Sequence, residues 1–366
     1  MMYKLLPYVL RPNKRSQVPQ YLIHFVTSKC NARCPHCFIF NEGDTRFSGS
    51  ELTISEIEKF TLSLRGGIYN VNLTGGETFV RKDILEICEL YLRNAKTKVI
   101  QLFTNGWFVD RTVNCLDNLS ARYPDRNFVL IISIDDLHDA HNDYRRLKGG
   151  FQKALFTYDS VRKLNRKNID LDIGLTVSHA NEGHLDKIYE FLVKERAYKT
   201  LSCSIVRGDP LDPTTKEVDL ANYQKFARRI DRGLKNGELA GFKRFPGADV
   251  LNAKSILMRQ KIIPRTIRSG YQSNCYAGRL IGVLYANGDI NPCEILEKRL
   301  GNLRDYDMDM KLVWNSSRTK EVTDWIWSSK CHCTHECFLT TNILFNPLYY
   351  PKLLWEYTKI KVDFAF

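Results

Sequence analysis

Apolar runs of six or seven residues recur about every thirty residues through the first part of the chain. They are Tyr21–Thr27, Ile68–Thr74, Val99–Thr104, Phe128–Ile134, Leu171–Val177 and Leu201–Val206. Each is rich in Val, Ile, Leu and Phe and is too short for a helix. That is the pattern of strands buried in a parallel sheet. The stretches between them read as helices. One begins at the capping box Thr53-Ile-Ser-Glu56 and stops at Gly66-Gly67, and others lie near 82–94, 110–121, 151–164 and 184–195. Strand and helix in alternation predict a parallel α/β domain, and six such units are fewer than a closed eight-unit barrel requires.

The pattern loosens after residue 206. Pro210 and Pro213 precede helices near 219–236 and 249–261, with a Gly/Pro loop at 241–247 between them. Further on, Ile281–Tyr285, the turn Ala286-Asn287-Gly288-Asp289 and Ile290 predict a hairpin. The expected organisation is an N-terminal segment 1–20, an α/β domain 21–210, connecting helices 211–270, a cysteine-rich domain 271–340 and a C-terminal segment 341–366.

No apolar run approaches the ~20 residues of a membrane helix. The stretch Leu5 to Leu10 is broken by Pro7 and is too short for a secretory signal. These features predict a cytoplasmic protein without a transmembrane segment. The net charge of +13 is spread along the chain, with only short clusters such as Arg11-Pro-Asn-Lys14-Arg15, and no nucleic-acid motif accompanies it. A solvated basic surface is the simpler reading, and nucleic acid is not an expected partner.

Cysteine changes the picture. Eight of eleven cysteines fall in two groups: Cys30, Cys34 and Cys37, then Cys275, Cys293, Cys331, Cys333 and Cys337. Clustered thiols in a large chain of intracellular type point to metal rather than disulfides. Cys88, Cys115 and Cys203 sit in apolar settings and read as core residues. Three thiolates within Cys30-Asn-Ala-Arg-Cys-Pro-His-Cys37 are one too few to close a tetrahedral site, so they suggest a cluster with one metal left open. A zinc knuckle completed by His36 is the alternative.

The Cys-x3-Cys-x2-Cys loop resembles the signature of the radical S-adenosylmethionine (radical SAM) superfamily. Thr74-Gly75-Gly76-Glu77 follows about forty residues later and resembles that family's Gly-Gly-Glu motif. Thr104-Asn105-Gly106 and Ser133-Ile134-Asp135 resemble further barrel motifs of the family. The resemblance implies a partial (β/α)6 TIM-like barrel and a 4Fe–4S cluster on Cys30, Cys34 and Cys37. The fourth iron would chelate S-adenosylmethionine. Reductive cleavage would then yield methionine and a 5′-deoxyadenosyl radical, which abstracts hydrogen from carbon. An electron donor such as flavodoxin or ferredoxin is implied as partner, and an oxidoreductase as enzyme class.

By the same resemblance His36 packs near the adenine, and Gly75 and Gly76 permit close approach to the ligand. Glu77 meets the ligand ammonium, Ser133 and Asp135 hold ribose hydroxyls, and Arg145 lies near the methionine carboxylate. Asn105 joins this set as a polar group at a strand end. The plainer alternatives are a loop histidine for His36, a turn residue for Asn105, helix caps for Ser133 and Asp135, and a surface ion pair for Arg145. Every candidate follows a strand, as do Ser178 and His179 after the fifth and Arg207-Gly208-Asp209 after the sixth. One face of a barrel would therefore carry them all.

Cys275-x12-Gly288-x4-Cys293 resembles the opening of the SPASM/twitch extension, which carries auxiliary clusters. The ending, Cys331-His-Cys333-Thr-His-Glu-Cys337, is shorter than the full SPASM series. Five cysteines can complete one further 4Fe–4S cluster and not two. Cys275, Cys293 and Cys337 are the first choices as ligands, with Cys331 and Cys333 competing for the fourth place. His332 and His335 are weaker ligands, and zinc is the alternative metal. The expected substrate is a small molecule such as a sugar, cyclitol or lipid-linked intermediate, because only 29 residues precede Cys30. A ribosomally made peptide is the second choice, and a non-enzymatic metal-stabilised binding protein the third.

Overall fold

The computed structural model describes residues 16–40, 45–64, 67–242 and 247–363. The basic cluster at 11–15, most of the N-terminal segment, Gly66 of the predicted helix stop and part of the 241–247 loop lie outside the described residues. Six parallel strands carry the first half of the chain: β1 (Tyr21–Thr27), β2 (Asn70–Gly75), β3 (Val99–Thr104), β4 (Asn127–Ser133), β5 (Ile169–Val177) and β6 (Leu201–Ile205). They lie side by side in chain order, and the sheet does not close: its order is β6-β5-β4-β3-β2-β1-β7-β8-β9. This is an α/β partial barrel.

The last three strands come from the cysteine-rich region. β7 (Ile281–Leu284), β8 (Asp289–Asn291) and β9 (Gly301–Asn302) continue the same sheet. β7 runs parallel to β1, with Tyr21 opposite Ile281, and β8 returns antiparallel. The predicted Asn-Gly turn is present, with Gly288 at φ 91° and its N–H donating to the Tyr285 carbonyl at 2.9 Å. A positive φ there requires glycine or a residue of similar tolerance.

Helices pack on the outer face of the strands. In order they are α1 (Ile54–Ser63), α2 (Ile84–Arg93), α3 (Val109–Arg122), α4 (His138–Arg145), α5 (Gly150–Lys163) and α6 (Leu185–Tyr189), the last continuing as a π-helical turn Glu190–Glu195. The capping box at α1 forms as expected: Glu56 N–H donates to Thr53 Oγ1 at 3.3 Å, and Thr53 N–H to Glu56 Oε2 at 2.8 Å. α7 (Leu220–Lys235) and α8 (Ala248–Leu257) match their predicted spans. α8 then passes through a π-helical turn, Met258–Ile262, into α9 (Ile263–Ser269). α10 (Met310–Trp314), α11 (Ser317–Ser328), α12 (Glu336–Phe345) and α13 (Tyr350–Asp363) complete the chain.

The strands differ from the expectation in one instructive way. Burial along β3 and β6 alternates, with Gln101, Ser202 and Ser204 partly open and Ile100, Leu102, Leu201 and Cys203 buried. One face is sealed by helices; the other lines an accessible lumen carrying polar side chains. Asp172 lies on that face and accepts from Ser202 Oγ at 2.7 Å, and burial pushes its carboxyl up to about 7. Cys88, Cys115 and Cys203 are buried core residues, as their settings suggested.

Between β1 and the helices, His24 is fully buried edge-on to Phe60 and Tyr91, and its Nδ1 lies 2.9 Å from the Tyr91 hydroxyl. Burial, helped by the Arg81 charge, lowers its pKa to about 3. The unfolded chain therefore binds a proton at this site below about pH 6.5 that the folded chain refuses. Stability should fall by up to ~1.4 kcal/mol per pH unit from about pH 6 down towards the folded value, through this one group. Urea midpoints at pH 7 and pH 5 test this, and His24→Phe should flatten the slope.

Candidate active site

The ends of β1 and β2 are stitched together by backbone, and the Glu77 side chain ties in the end of β3. Gly76 N–H donates to the Thr27 carbonyl and Glu77 N–H to the Lys29 carbonyl, each at 2.9 Å. A Cβ on Gly75, whose φ is +143°, would sit 2.2 Å from the Thr27 oxygen; one on Gly76 would sit 2.2 Å from the Lys29 oxygen. The glycines were expected to admit a ligand. In the structure their bareness admits the segment that leads into Cys30. Gly76→Ala should therefore push the cysteine loop off its seat, costing ~1–3 kcal/mol as overpacking does. Urea unfolding and iron uptake after reconstitution should both register it.

Glu77 is buried and its carboxylate is largely engaged. Oε1 accepts from Thr104 Oγ1 at 2.7 Å and Phe79 N–H at 3.1 Å, and Oε2 accepts from Asn105 N–H at 2.7 Å. Burial raises its pKa, and these bonds pull it back only in part. A carboxylate has about four acceptor positions, so one remains for a ligand donor. Asn105 reaches the cysteine loop itself, its Nδ2 donating to Asn31 Oδ1 at 2.8 Å, while its Oδ1 accepts from Trp107 N–H at 3.0 Å. The turn reading of Asn105 and a loop-positioning role hold together.

Asp135 and Arg145 form a buried ion pair, with Arg145 Nη2 at 2.6 Å from Asp135 Oδ2 and side-chain exposures of 8% and 0%. The other carboxylate oxygen accepts from Thr176 N–H at 2.9 Å. Burial pushes the Asp135 carboxyl up, but Arg145, His36 and His141 together with the Thr176 bond hold it below its ordinary value. Arg145 is thus no surface residue. Its carbonyl accepts from Arg33 N–H at 3.1 Å, which anchors α4 to the cysteine loop, and its Nε is buried without a partner. Ser133 ends β4 opposite Gly174 and is partly open.

His36 is occupied by a neighbour that sequence reasoning missed. Its ring stacks on Tyr144 at 5.2 Å, and its Nδ1 lies 2.9 Å from the Tyr144 hydroxyl. Tyr144 directly precedes Arg145, so the only available signal was its position. His179 is exposed and paired with Glu182 at 3.1 Å, away from this group.

The thiols of the loop are shielded. Cys34 and Cys37 lie against Ala32, Leu147 and Trp107, and burial pushes Cys34 up to about 12 and Cys37 to about 11. Thiolates form there only with a positive partner, which metal supplies. The donor set fits a three-cysteine cluster. One loop brings three thiols, and beside them stands a buried guanidinium with a free N–H suited to an anionic group. Among the described residues no three His, Cys, Asp or Glu side chains are close enough to share a single metal ion. Tetrahedral zinc needs its thiolates about 3.8 Å apart, from a Zn–S bond of about 2.3 Å. A multi-iron cluster spreads them more widely.

The second cysteine group surrounds a cavity of about 70 Å³ between β7–β8, α9 and α12, lined by Cys275, Cys293, Cys331 and Cys333 together with His332 and Phe338. Cys337 does not line it. Its sulfur accepts from Asn72 Nδ2 at 3.7 Å and pairs with the Tyr21 hydroxyl. His335 is also turned away, its Nε2 2.8 Å from Glu294 Oε2. Glu294 is buried; burial pushes its carboxyl up, but His335 and Arg207 draw it down to about 2. Arg207 bridges Glu294 at 3.6 Å and Glu336 at 3.2 Å. Phe38, Arg46, Arg207, Asp209 and Glu294 meet at this point in a closed crevice with no room for a water molecule. Phe38 follows Cys37 and Glu294 follows Cys293 in the chain, so this crevice joins the segments that carry the two cysteine groups.

The geometry agrees with what the chain resembles elsewhere. The model of the radical SAM superfamily matches residues 25–192. A probable GTP 3′,8-cyclase of Methanococcus maripaludis is 30% identical over 227 residues, covering 60% of this chain and 72% of that one. A cysteine-type anaerobic sulfatase-maturating enzyme of Clostridium novyi is 25% identical over 326 residues, 83% of this chain and 81% of that one. For several other curated relatives the chain spans about half of their length. In fold it resembles the solved structure of native anSMEcpe with bound AdoMet, at a TM-score of 0.59 and 19% identity, over 93% of this chain and 99% of that one.

The chain belongs to the radical SAM superfamily. It is an enzyme that carries a 4Fe–4S cluster and S-adenosylmethionine, and it requires an electron donor and a substrate. No helix among the described residues is long and apolar enough to cross a membrane.

Proposed function

We propose that this enzyme removes hydrogen from a carbon of a peptide or protein side chain. The observation that carries this reading is the extent of the maturase likeness. It covers 83% of the chain, whereas the cyclase match covers 60%. The order of substrates expected from sequence, small molecule first, is reversed here.

When bound, the cluster and S-adenosylmethionine supply the reducing electron and the hydrogen-abstracting radical. The chain's own residues do the rest. Cys30, Cys34 and Cys37 hold three irons. Glu77 keeps one acceptor position for a ligand donor, and the Arg145 Nε stands ready for a carboxylate. Asn105, through Asn31, fixes the loop that carries all of this. In the crevice beside Phe38, Glu294 keeps its negative charge between Arg207 and His335. It is suited to orient a polar, positively charged or hydrogen-bond-donating group. The second cysteine group would take an auxiliary 4Fe–4S cluster, able to accept the electron left on the substrate. A small electron-transfer protein such as flavodoxin or ferredoxin is the proposed donor and the cytoplasm the proposed location, consistent with eleven cysteines none of which is in a disulfide.

The test uses the reconstituted enzyme with S-adenosylmethionine, dithionite and a synthetic peptide carrying cysteine deuterated at Cβ. Deuterium should appear in 5′-deoxyadenosine, and GTP should not stimulate its formation. GTP-dependent turnover with no transfer from the peptide would reverse the reading.

A further inference from the structure

The second cysteine group contains five thiols, and a 4Fe–4S cluster needs four. We infer that Cys275, Cys293, Cys331 and Cys333 are the complete ligand set of the auxiliary cluster, and that Cys337, a first choice from sequence, is not a ligand. This rests on the reading that the second group holds a cluster. It goes beyond that reading by leaving the cluster no open iron.

Two independent observations carry it. The first is the cavity itself. Those four cysteines line one space of about 70 Å³, closed by apolar groups such as Phe338 and Leu339. They come from three separate places: the loop before β7, the end of β8, and the segment between α11 and α12. Four thiols converging on one hollow from distant parts of a chain are what a four-ligand site requires. His332 also lines the hollow, but its Nδ1 lies 3.1 Å from the Lys330 carbonyl, and four thiols already suffice.

The second observation is helical geometry. On α12, Phe338, Leu339 and Asn342 face the cavity. At 3.6 residues per turn Phe338, Asn342 and Leu339 span one side of the helix, and Cys337 projects from roughly the opposite side. Cys337 shares its face with Thr340, whose hydroxyl meets Lys254 Nζ at 3.2 Å. The Cys337 thiol is accordingly turned toward Tyr21 on β1 and Asn72 on β2. To join the cavity it would have to leave both partners and swing round the helix.

The consequence concerns chemistry. A cluster with four protein thiolates offers no coordination position to a substrate. Only the cluster on Cys30, Cys34 and Cys37 keeps an open iron. The auxiliary cluster is then confined to moving electrons, or to holding β7–β8 against α12.

The full-length protein, reconstituted with iron and sulfide, decides this. An iron-edge anomalous map of its crystals should show auxiliary iron bonded to Cys331 and Cys333, with Cys337 out of bonding range. In solution, with Cys30, Cys34 and Cys37 already replaced by alanine, Cys337→Ser should keep all of the remaining iron. Cys333→Ser should drop it at least fourfold. Auxiliary iron bonded to Cys337, or loss of the iron in Cys337→Ser with its fold retained by circular dichroism, would overturn the ligand set. A cavity free of iron in the map would overturn the inference together with the auxiliary-cluster reading. The first of these outcomes leaves that reading intact and the last does not, so the two failures are told apart.

Discussion

Replacing Cys30, Cys34 and Cys37 together by alanine should remove about half of the iron, from roughly eight per chain to roughly four at four per cluster, and all cleavage of S-adenosylmethionine. The three thiols share one loop, and that loop is held by contacts that do not involve sulfur. Arg33 N–H donates to the Arg145 carbonyl, and Asn31 accepts from Asn105. The variant should therefore fold and keep its second group's metal, remaining brown with a reduced 4Fe–4S spectrum. Zinc, which has no accessible second oxidation state, would leave it colourless. Retention of the full iron content would show that the first cluster has been misplaced.

Asp135→Ala should be the most destabilising single change at the site. It leaves the Arg145 guanidinium buried without its counter-charge, and breaking one side of such a pair costs ~3–5 kcal/mol. The Thr176 N–H loses its acceptor as well. The carboxyl of Asp135 is held below its ordinary value, so its contribution is complete at neutral pH and fades only as the solution is acidified through the folded value. Urea unfolding at pH 7 should show the full loss. Asp135→Asn should recover part of it by keeping an oxygen for Thr176. A joint Asp135→Leu, Arg145→Met variant should recover more, because two apolar groups bury at less cost than one lone charge. A loss below ~1 kcal/mol in Asp135→Ala would mean the pair is not buried as described.

The repeated apolar runs made the barrel legible. Strand order followed chain order, and β3 coincided with its predicted span because Val99–Thr104 is preceded by the polar Lys96-Thr97-Lys98 and followed by Asn105-Gly106. The accessible lumen was hidden, since Gln101, Asp172 and Ser202 are single polar residues inside apolar runs and alternation over so few positions is weak. α4 escaped for a similar reason: His138–Arg145 is polar apart from Ala140 and Tyr144 and shows no apolar stripe. Its helical form is what brings Tyr144 to His36 and Arg145 to Asp135. The cysteine groups were legible by spacing, but spacing does not say which way a side chain points. Only the helix at Glu336–Phe345 reveals that Cys337 and Phe338 look in different directions. The glycines of Gly75-Gly76-Glu77 were recognised for their freedom, while the partner of that freedom, the carbonyls of Thr27 and Lys29, needed three dimensions.

The central claim is that one iron on the Cys30, Cys34 and Cys37 loop is left open and takes S-adenosylmethionine. Electron paramagnetic resonance of the reduced protein tests it most directly, using the Cys275→Ser, Cys293→Ser variant so that only the first cluster contributes. The reduced spectrum should change when S-adenosylmethionine is added, and ligand labelled with nitrogen-15 at its amino group should show hyperfine coupling to the cluster. A spectrum indifferent to S-adenosylmethionine, with no coupling to the label, would contradict it.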